Sequence, residues 1–264
     1  MCVSLPDWLF AKAADCGPGA YGELAPELRA RLKSQIAFLH HCLGESPAWN
    51  EQRRPWLDRV LTRREQPLDW ALFGISGDYA SGPGLLAALL PAVLAGCANE
   101  GRELLVCRLP GSGVLPLELS AALELLGQEQ LFELAAPEFV ALAAELNAKS
   151  GQSGRGRVVL LGETEDRPPV GGHVLPGRVT IVVDPDCGAD LDLLRWAQPD
   201  ARIVAAGPGC IVEGNSWLAL LTDRPDAYPL TPNLLLAPGN EALWLWPGLD
   251  PALFRAHTAG IGTF

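Results

Sequence analysis

Between Leu68 and Gly207, short apolar runs alternate with longer Ala/Leu-rich stretches, and Gly- and Pro-rich turns separate them. Asp69 to Ile75 reads as a buried strand ending in the Gly-rich turn Ser76 to Gly84. Leu85 to Cys97 is apolar nearly all round, as a helix held between a sheet and other helices must be. The pattern then repeats, with a strand over Glu103 to Leu109, a helix over Leu115 to Leu126 and a short strand over Gln130 to Leu134. A helix follows over Pro137 to Ala148, then strands over Arg157 to Leu161 and Val179 to Val183. A short helix over Leu191 to Ala197 precedes a strand over Arg202 to Ala206. Strands alternating with helices imply parallel pairing through right-handed crossovers. The fold class predicted is α/β, a doubly wound, mostly parallel sheet with helices on both faces.

Residues 1–66 have another character and predict an N-terminal helical segment. Leu28, Leu32, Ile36 and Leu39 recur at helical spacing over Ala25 to Leu43, with Arg29, Arg31 and Lys33 on other faces. A second helix is predicted over Glu51 to Arg64, terminated by Pro67. Its arginines, Arg53, Arg54, Arg59, Arg63 and Arg64, read as a solvated face or as an anion-binding one. Residues 67–210 would form the α/β core, and 211–264 a C-terminal extension packing on the core or on a partner subunit of a homo-oligomer. Trp244, Trp246 and Phe254 belong to that extension.

Charge and cysteine usage narrow the classes. A chain of 264 residues with 48% hydrophobic content can bury a large core. With 20 Lys+Arg against 31 Asp+Glu the net charge is -11, which repels nucleic acid and anionic membrane surfaces. No leader pattern and no apolar run long enough to span a bilayer is present, so a cytoplasmic protein is expected. Seven cysteines without a CxxC pair argue for reduced thiols and against a disulfide framework or zinc knuckle. Cys97 and Cys107 read as core.

Candidate chemistry sits at the carboxyl ends of the strands, where ligands bind in such sheets. There, Gly74, Ser76, Gly77, Pro110, Gly162, Glu163 and Thr164 are the candidate cofactor residues. Neither GxGxxG nor a Walker loop is present, and Ser76, Ser81 and Ser112 lack a G-x-S-x-G elbow. Cys210 follows a strand and a Gly-Pro-Gly turn, where a thiol could stand beside backbone N–H groups, with Glu213 and Asn215 close in sequence. It reads as a nucleophile or as a structural cysteine. Asp184, Asp186, Asp190 and Asp192 lack EF-hand spacing, and the last two read as a helix start. No metal site is expected.

Four segments carry a resemblance. The run PAVLAGCANEGRELLVCRLPGSGVLPLELSAALELLG (Pro91 to Gly127) resembles the cofactor-domain segment of the aldehyde dehydrogenase-like superfamily, which includes histidinol dehydrogenase. VVLLGETED (Val158 to Asp166) is similar to that superfamily's strand and glycine turn facing the dinucleotide. The segment from Val179 to Gly207 resembles its strand, helix and strand, and TPNLLLAPGNEALW (Thr231 to Trp244) the histidinol dehydrogenase phrase "PNHVLP-x-G". The resemblance implies a dehydrogenase fold, NAD or NADP as cofactor and a small-molecule ligand. For the aldehyde dehydrogenase branch it further implies a cysteine thiolate attacking a carbonyl, with Cys210, Glu213 and Asn215 as the catalytic candidates. The chain departs from the family where chemistry is concerned. Arg195-Trp196-Ala197-Gln198-Pro199 stands in place of the zinc-holding "Q-A-E-H", Leu234 in place of the histidine, and "N-x-G-Q-x-C" has no counterpart. Two expectations follow: a catalytically degenerate relative that keeps a ligand cleft or serves as a subunit, or an active NAD(P)-dependent oxidoreductase acting on an aldehyde or amino alcohol.

Overall fold

The computed structural model describes residues 5–15, 19–44, 50–111, 113–128, 130–149, 155–162, 172–207 and 217–263. Its strands lie in three sheets. The largest is built on β4 (Trp70–Ile75), buried along its whole length, as a central parallel strand must be. Beside β4 lie β5 (Glu103–Arg108) and β7 (Gly156–Leu161), both parallel to it. Beyond them come β6 (Gln130–Glu133) and β8 (His173–Leu175), and β1 (Ala13–Asp15) closes the edge antiparallel to β6. The order is β1-β6-β5-β4-β7-β8.

Alternation along these strands sorts two apolar layers. Ala71, Phe73, Ile75, Val106, Val159 and Leu161 face α4 (Gly82–Ala95), α5 (Leu117–Leu125) and α3 (Pro26–Leu43). Trp70, Leu72, Leu105, Cys107, Val158 and Leu160 face α6 (Ala136–Lys149) and α1 (Asp7–Phe10), through Phe139, Leu142, Leu146 and Leu9. Both faces are therefore covered by helices, as the sequence pattern predicts.

Sequence-local signals fix α4. Ser81 caps its start by accepting the Gly84 N–H at 2.9 Å, and Gly96, at φ 92°, ends it in the left-handed region that glycine adopts freely. Every residue of α4 except Val93 is buried, because a second sheet lies on its other side. That sheet contains β9 (Thr180–Val183), β10 (Arg202–Ala205), β11 (Leu218–Leu221) and β12 (Leu234–Leu236), all parallel, in the order β10-β9-β11-β12. The sequence pattern predicts one continuous sheet. Two form instead, because Ile181, Val183, Ala219 and Leu221 turn towards the apolar layer around α4 and so bury its remaining surface. The helix α7 (Leu191–Ala197) begins as expected: Asp190 caps it through the N–H groups of Asp192 and Leu193.

Trp244, Trp246 and Phe254 are buried. Trp217, Trp244 and Trp246 lie with ring centroids 5.1 to 5.6 Å apart, and the Trp246 indole donates to the Gly84 carbonyl at 2.9 Å. Gln35, fully buried on α3, holds this segment by donating to the Trp244 carbonyl at 2.7 Å and accepting its N–H at 2.9 Å.

The helix predicted over Glu51 to Arg64 is a β-hairpin. β2 (Asn50–Trp56) and β3 (Arg59–Pro67) pair antiparallel around a turn in which Leu57 has φ 53°, and β13 (Arg255–Thr263) completes a three-stranded sheet. Pro55, with no N–H to donate, disfavours a helix interior there. Among the described residues of the N-terminal segment, helix is confined to α1, α2 (Ala20–Glu23) and α3, which ends at Leu43.

Candidate functional site

Strand order locates the place where a ligand should bind. From β4 the chain runs through α4 to β5 on one side, while β7, on the other side of β4, is reached through α6 on the opposite face. The carboxyl ends of β4 and β7 thus flank the switch point of the sheet. A crevice of about 110 Å³ opens there, lined by Ser76, Asp78, Tyr79, Gly162, Gly177, Arg178 and Asp200. The Asp200 carboxylate, from the turn after α7, accepts the Ala80 N–H at 3.0 Å, and Ser81 donates to the Ala197 carbonyl at 2.6 Å. The two sheets are thereby tied together at this point. Burial raises the pKa of Asp200, and Asp78 raises it further, against the Ala80 N–H and Arg178. Burial also raises that of the Tyr79 phenol.

A second, larger cleft of about 500 Å³ lies at the carboxyl ends of β5 and β6, lined by Lys12, Arg108, Pro110, Gly111, Glu133 and Glu138, among others. Arg108 is the last residue of β5, and its guanidinium approaches Glu133 at 3.8 Å, the Gly77 carbonyl at 3.5 Å and the Gly113 carbonyl. Glu138, in the first turn of α6, accepts from Lys12 at 2.8 Å and from the Ala135 N–H at 2.9 Å. Lys12 and that N–H hold its carboxyl below the ordinary value. Arg108, Lys12 and the α6 N-terminus therefore converge on one cleft, each engaged by a carboxylate or carbonyl that a ligand anion could replace.

The predicted cofactor residues divide between these places. Ser76 and Gly162 line the switch-point crevice, and Gly162 has φ 104° with a Cβ position only 2.3 Å from Ser76 Cβ. Pro110 lines the larger cleft instead. Gly77 lines neither: its Cβ position lies 2.3 Å from the Gly111 backbone, so the two turns touch main chain to main chain between the clefts. Gly74 is also a packing glycine, with Leu160 and Phe139 at 2.5 and 2.9 Å from its Cβ position. Glu163 and Thr164, Ser112, and the catalytic candidates Cys210, Glu213 and Asn215 lie outside the described residues.

Burial pushes the Cys97 thiol up to about 11 and raises that of Cys107 as well, so both are inert packing groups, as their apolar surroundings predict. Lys12, Arg108, Glu133 and Glu138 escape sequence reasoning. Arg108 alone had a visible signal, since a cation ending an otherwise apolar parallel strand must reach the strand's carboxyl end. Among the described residues no group of three or more His, Cys, Asp or Glu side chains could hold a metal ion, and no helix is long and apolar enough to cross a membrane.

The second sheet has a switch point of its own, between β9 and β11, and an ion-pair network fills it. Asp184, buried at the end of β9, accepts from the Thr222 hydroxyl at 2.8 Å, the Arg224 guanidinium at 3.0 Å and the Asp186 N–H at 3.0 Å. Burial opposes its ionisation, yet the Asp186 N–H, Thr222 and Arg224 together bring its pKa down to about 2.

No protein-family model matches the chain, and no curated protein matches it. Among solved structures, histidinol dehydrogenase from Elizabethkingia anophelis is similar over 100% of this chain and 77% of its own, at 12% identity and a TM-score of 0.51. An aldehyde dehydrogenase from Brucella melitensis biovar abortus 2308 is matched by 75% of this chain, at 16% identity and a TM-score of 0.33. A betaine aldehyde dehydrogenase double mutant from Staphylococcus aureus, in complex with NAD+, is matched by 76%, at 15% identity and a TM-score of 0.35. The chain spans 40% of each of these two proteins. The first likeness bears on architecture alone: this chain has a distant, dehydrogenase-like α/β fold.

Proposed function

We propose that this chain is a divergent, shortened and catalytically degenerate relative of the aldehyde and histidinol dehydrogenases, and that it binds a small anionic, nucleotide-like ligand in the cleft at the ends of β5 and β6. The observation that carries this reading is the convergence of Arg108, Lys12 and the α6 N-terminus on about 500 Å³ of space, within the range of small-molecule sites. A whole dinucleotide fits the described residues poorly. The switch-point crevice holds about 110 Å³ and is lined by two aspartates and one arginine, and the Gly77–Gly111 contact separates it from the larger cleft. A phosphate or carboxylate group suits the larger cleft, with Arg108 and Lys12 exchanging Glu133 and Glu138 for the ligand's oxygens.

The second reading is an active NAD(P)-dependent oxidoreductase. A bound nicotinamide cofactor would supply a hydride acceptor, Cys210 the thiolate that attacks an aldehyde, and Glu213 and Asn215 support for water and oxyanion. The sequence position of Cys210, after a strand and a glycine turn, favours it.

Thermal shift against AMP, ADP-ribose, NAD and NADP tests both. A ligand at 100 times its Kd stabilises by about 2.7 kcal/mol, roughly 5–10 °C for a chain of this size. The expected result is a shift with AMP or ADP-ribose that Arg108→Met and Lys12→Met both remove. Aldehyde-dependent reduction of NAD(P) that disappears in Cys210→Ala would replace the first reading with the second.

A further inference from the structure

The cations in the cleft at the carboxyl ends of β5 and β6 are already matched by carboxylates of the chain itself. Among the described residues, four charged side chains line it, each from a different element: Lys12 from the turn between α1 and β1, Arg108 from the end of β5, Glu133 from the end of β6 and Glu138 from the first turn of α6. The turn after β5 contributes Pro110, Gly111 and Gly113, which carry no charge. Lys12 pairs with Glu138 at 2.8 Å, and Arg108 with the more exposed Glu133 at 3.8 Å. Glu145, about two turns further along α6, is engaged by Lys149 at 2.7 Å and by the Trp8 indole at 3.4 Å instead.

Glu138 is held twice. One carboxylate oxygen takes Lys12, and the other accepts the Ala135 N–H at 2.9 Å, the reach-back of a glutamate in the third helical position of a capping box. Ala135 has no side-chain acceptor with which to return that bond.

An anion entering the cleft meets a specific difficulty. The cations it can use are the partners of Glu133 and Glu138, and both carboxylates stay in the same space once it has displaced them. A doubly charged ligand then leaves the cleft with more negative charge than positive, like charges lying side by side. Glu138 is affected most, because it exchanges a cation at 2.8 Å for an anion. Lys12 and the Ala135 N–H hold its carboxyl below the ordinary value while the cleft is without ligand. With Lys12 turned to the ligand, the lost partner and the new neighbour both push that value up. A proton from solvent relieves the repulsion: the neutral carboxyl keeps the Ala135 N–H on its carbonyl oxygen and turns an O–H donor towards the ligand.

We infer that an anionic ligand enters this cleft together with a proton taken up by Glu138, so that the chain holds its ligand more tightly as pH falls. This coupling rests on the reading of the cleft as an anion site, and it gives that site a built-in competitor that a proton removes. The sign follows from linkage. Glu138 binds more protons in the complex than in the unliganded chain, so affinity rises as pH falls through the value for the complex and levels off below the value for the unliganded chain.

Calorimetric titration of the full chain with ADP-ribose tests the coupling. The phosphates of that ligand are diester-linked and do not titrate near neutral pH, whereas the phosphate of AMP titrates at about 6 and would add protons of its own. In buffers of different ionisation enthalpy, the expected result is net proton uptake on binding at about pH 6, with a Kd that falls roughly threefold or more between about pH 8 and about pH 5.5. Glu138→Gln keeps the capping acceptor but has no charge to hold Lys12. It should bind roughly threefold or more tighter than the wild type at about pH 8 and lose most of the proton uptake, whereas Glu133→Gln, which alters the looser pair, should keep the uptake. Binding that needs Arg108 and Lys12 yet takes up no proton overturns the coupling and leaves the anion site standing. Uptake that persists unchanged in Glu138→Gln also overturns it. Absence of binding in the wild type and in both glutamine variants removes the anion site itself, and the coupling with it.

Discussion

Asp184 is a buried carboxylate whose ionised form the folded chain favours. With its pKa at about 2 in the folded chain, against roughly 3.9 for an unfolded aspartate, its contribution to stability is complete above about pH 4 and is lost as pH falls through about 2. Urea midpoints measured from pH 6 to pH 2 should therefore fall more steeply in the wild type than in Asp184→Asn, which has already lost the ionised partner of Arg224. Equal slopes would mean that the Thr222–Arg224 network adds nothing. The sequence shows Asp184 only as one member of an acidic run. Its partners Thr222 and Arg224 come from the turn just after β11, about forty residues later, and no local pattern announces that pairing. The same holds for the cleft: Lys12 comes from the turn between α1 and β1, Arg108 from the end of β5 and Glu138 from α6, and no sequence pattern brings the three together.

At the level of elements, the strands and helices from Trp70 to Ala205 were legible except for β8, because long apolar runs bounded by turn residues leave little choice, whereas three residues beginning with His173 make no such run. The hairpin from Asn50 to Pro67 was not. Trp56, Leu57, Val60 and Leu61 imitate helical spacing, but Leu57 belongs to the turn, and arginines at both odd and even positions obscure the strand period. The division into two sheets was equally hidden, since strand pattern carries no record of which sheet a strand joins. Gln35 illustrates how elements far apart in sequence are joined. Gln35→Leu keeps the helical pattern of α3 yet leaves the buried N–H and C=O of Trp244 without their partner. We expect a loss of about 2–5 kcal/mol, measured by urea unfolding; a change below 1 kcal/mol would mean that water replaces the amide.

For the molecule as a whole, α4 is the shared centre of two sheets, and one apolar cluster runs from Phe73 and Val159 through Leu86 and Leu89 to Ile181, Leu221 and Trp246. Neither sheet can lose its packing alone. Calorimetry should accordingly show one transition, with indole fluorescence and backbone circular dichroism changing together. Two separated transitions would mean that the sheets unfold independently.

The seat of Trp244, Trp246, Leu249 and Phe254 in that cluster also has a consequence for biosynthesis. The surface of α4 that these side chains cover is made some 150 residues before they are. A nascent chain still short of Ala242 carries this apolar patch of α4 uncovered past the ribosome exit, and at a synthesis rate of roughly 5–20 residues per second it does so for about 8–30 s. During that interval chaperone binding, rather than the final fold, decides whether the chain survives to close its core.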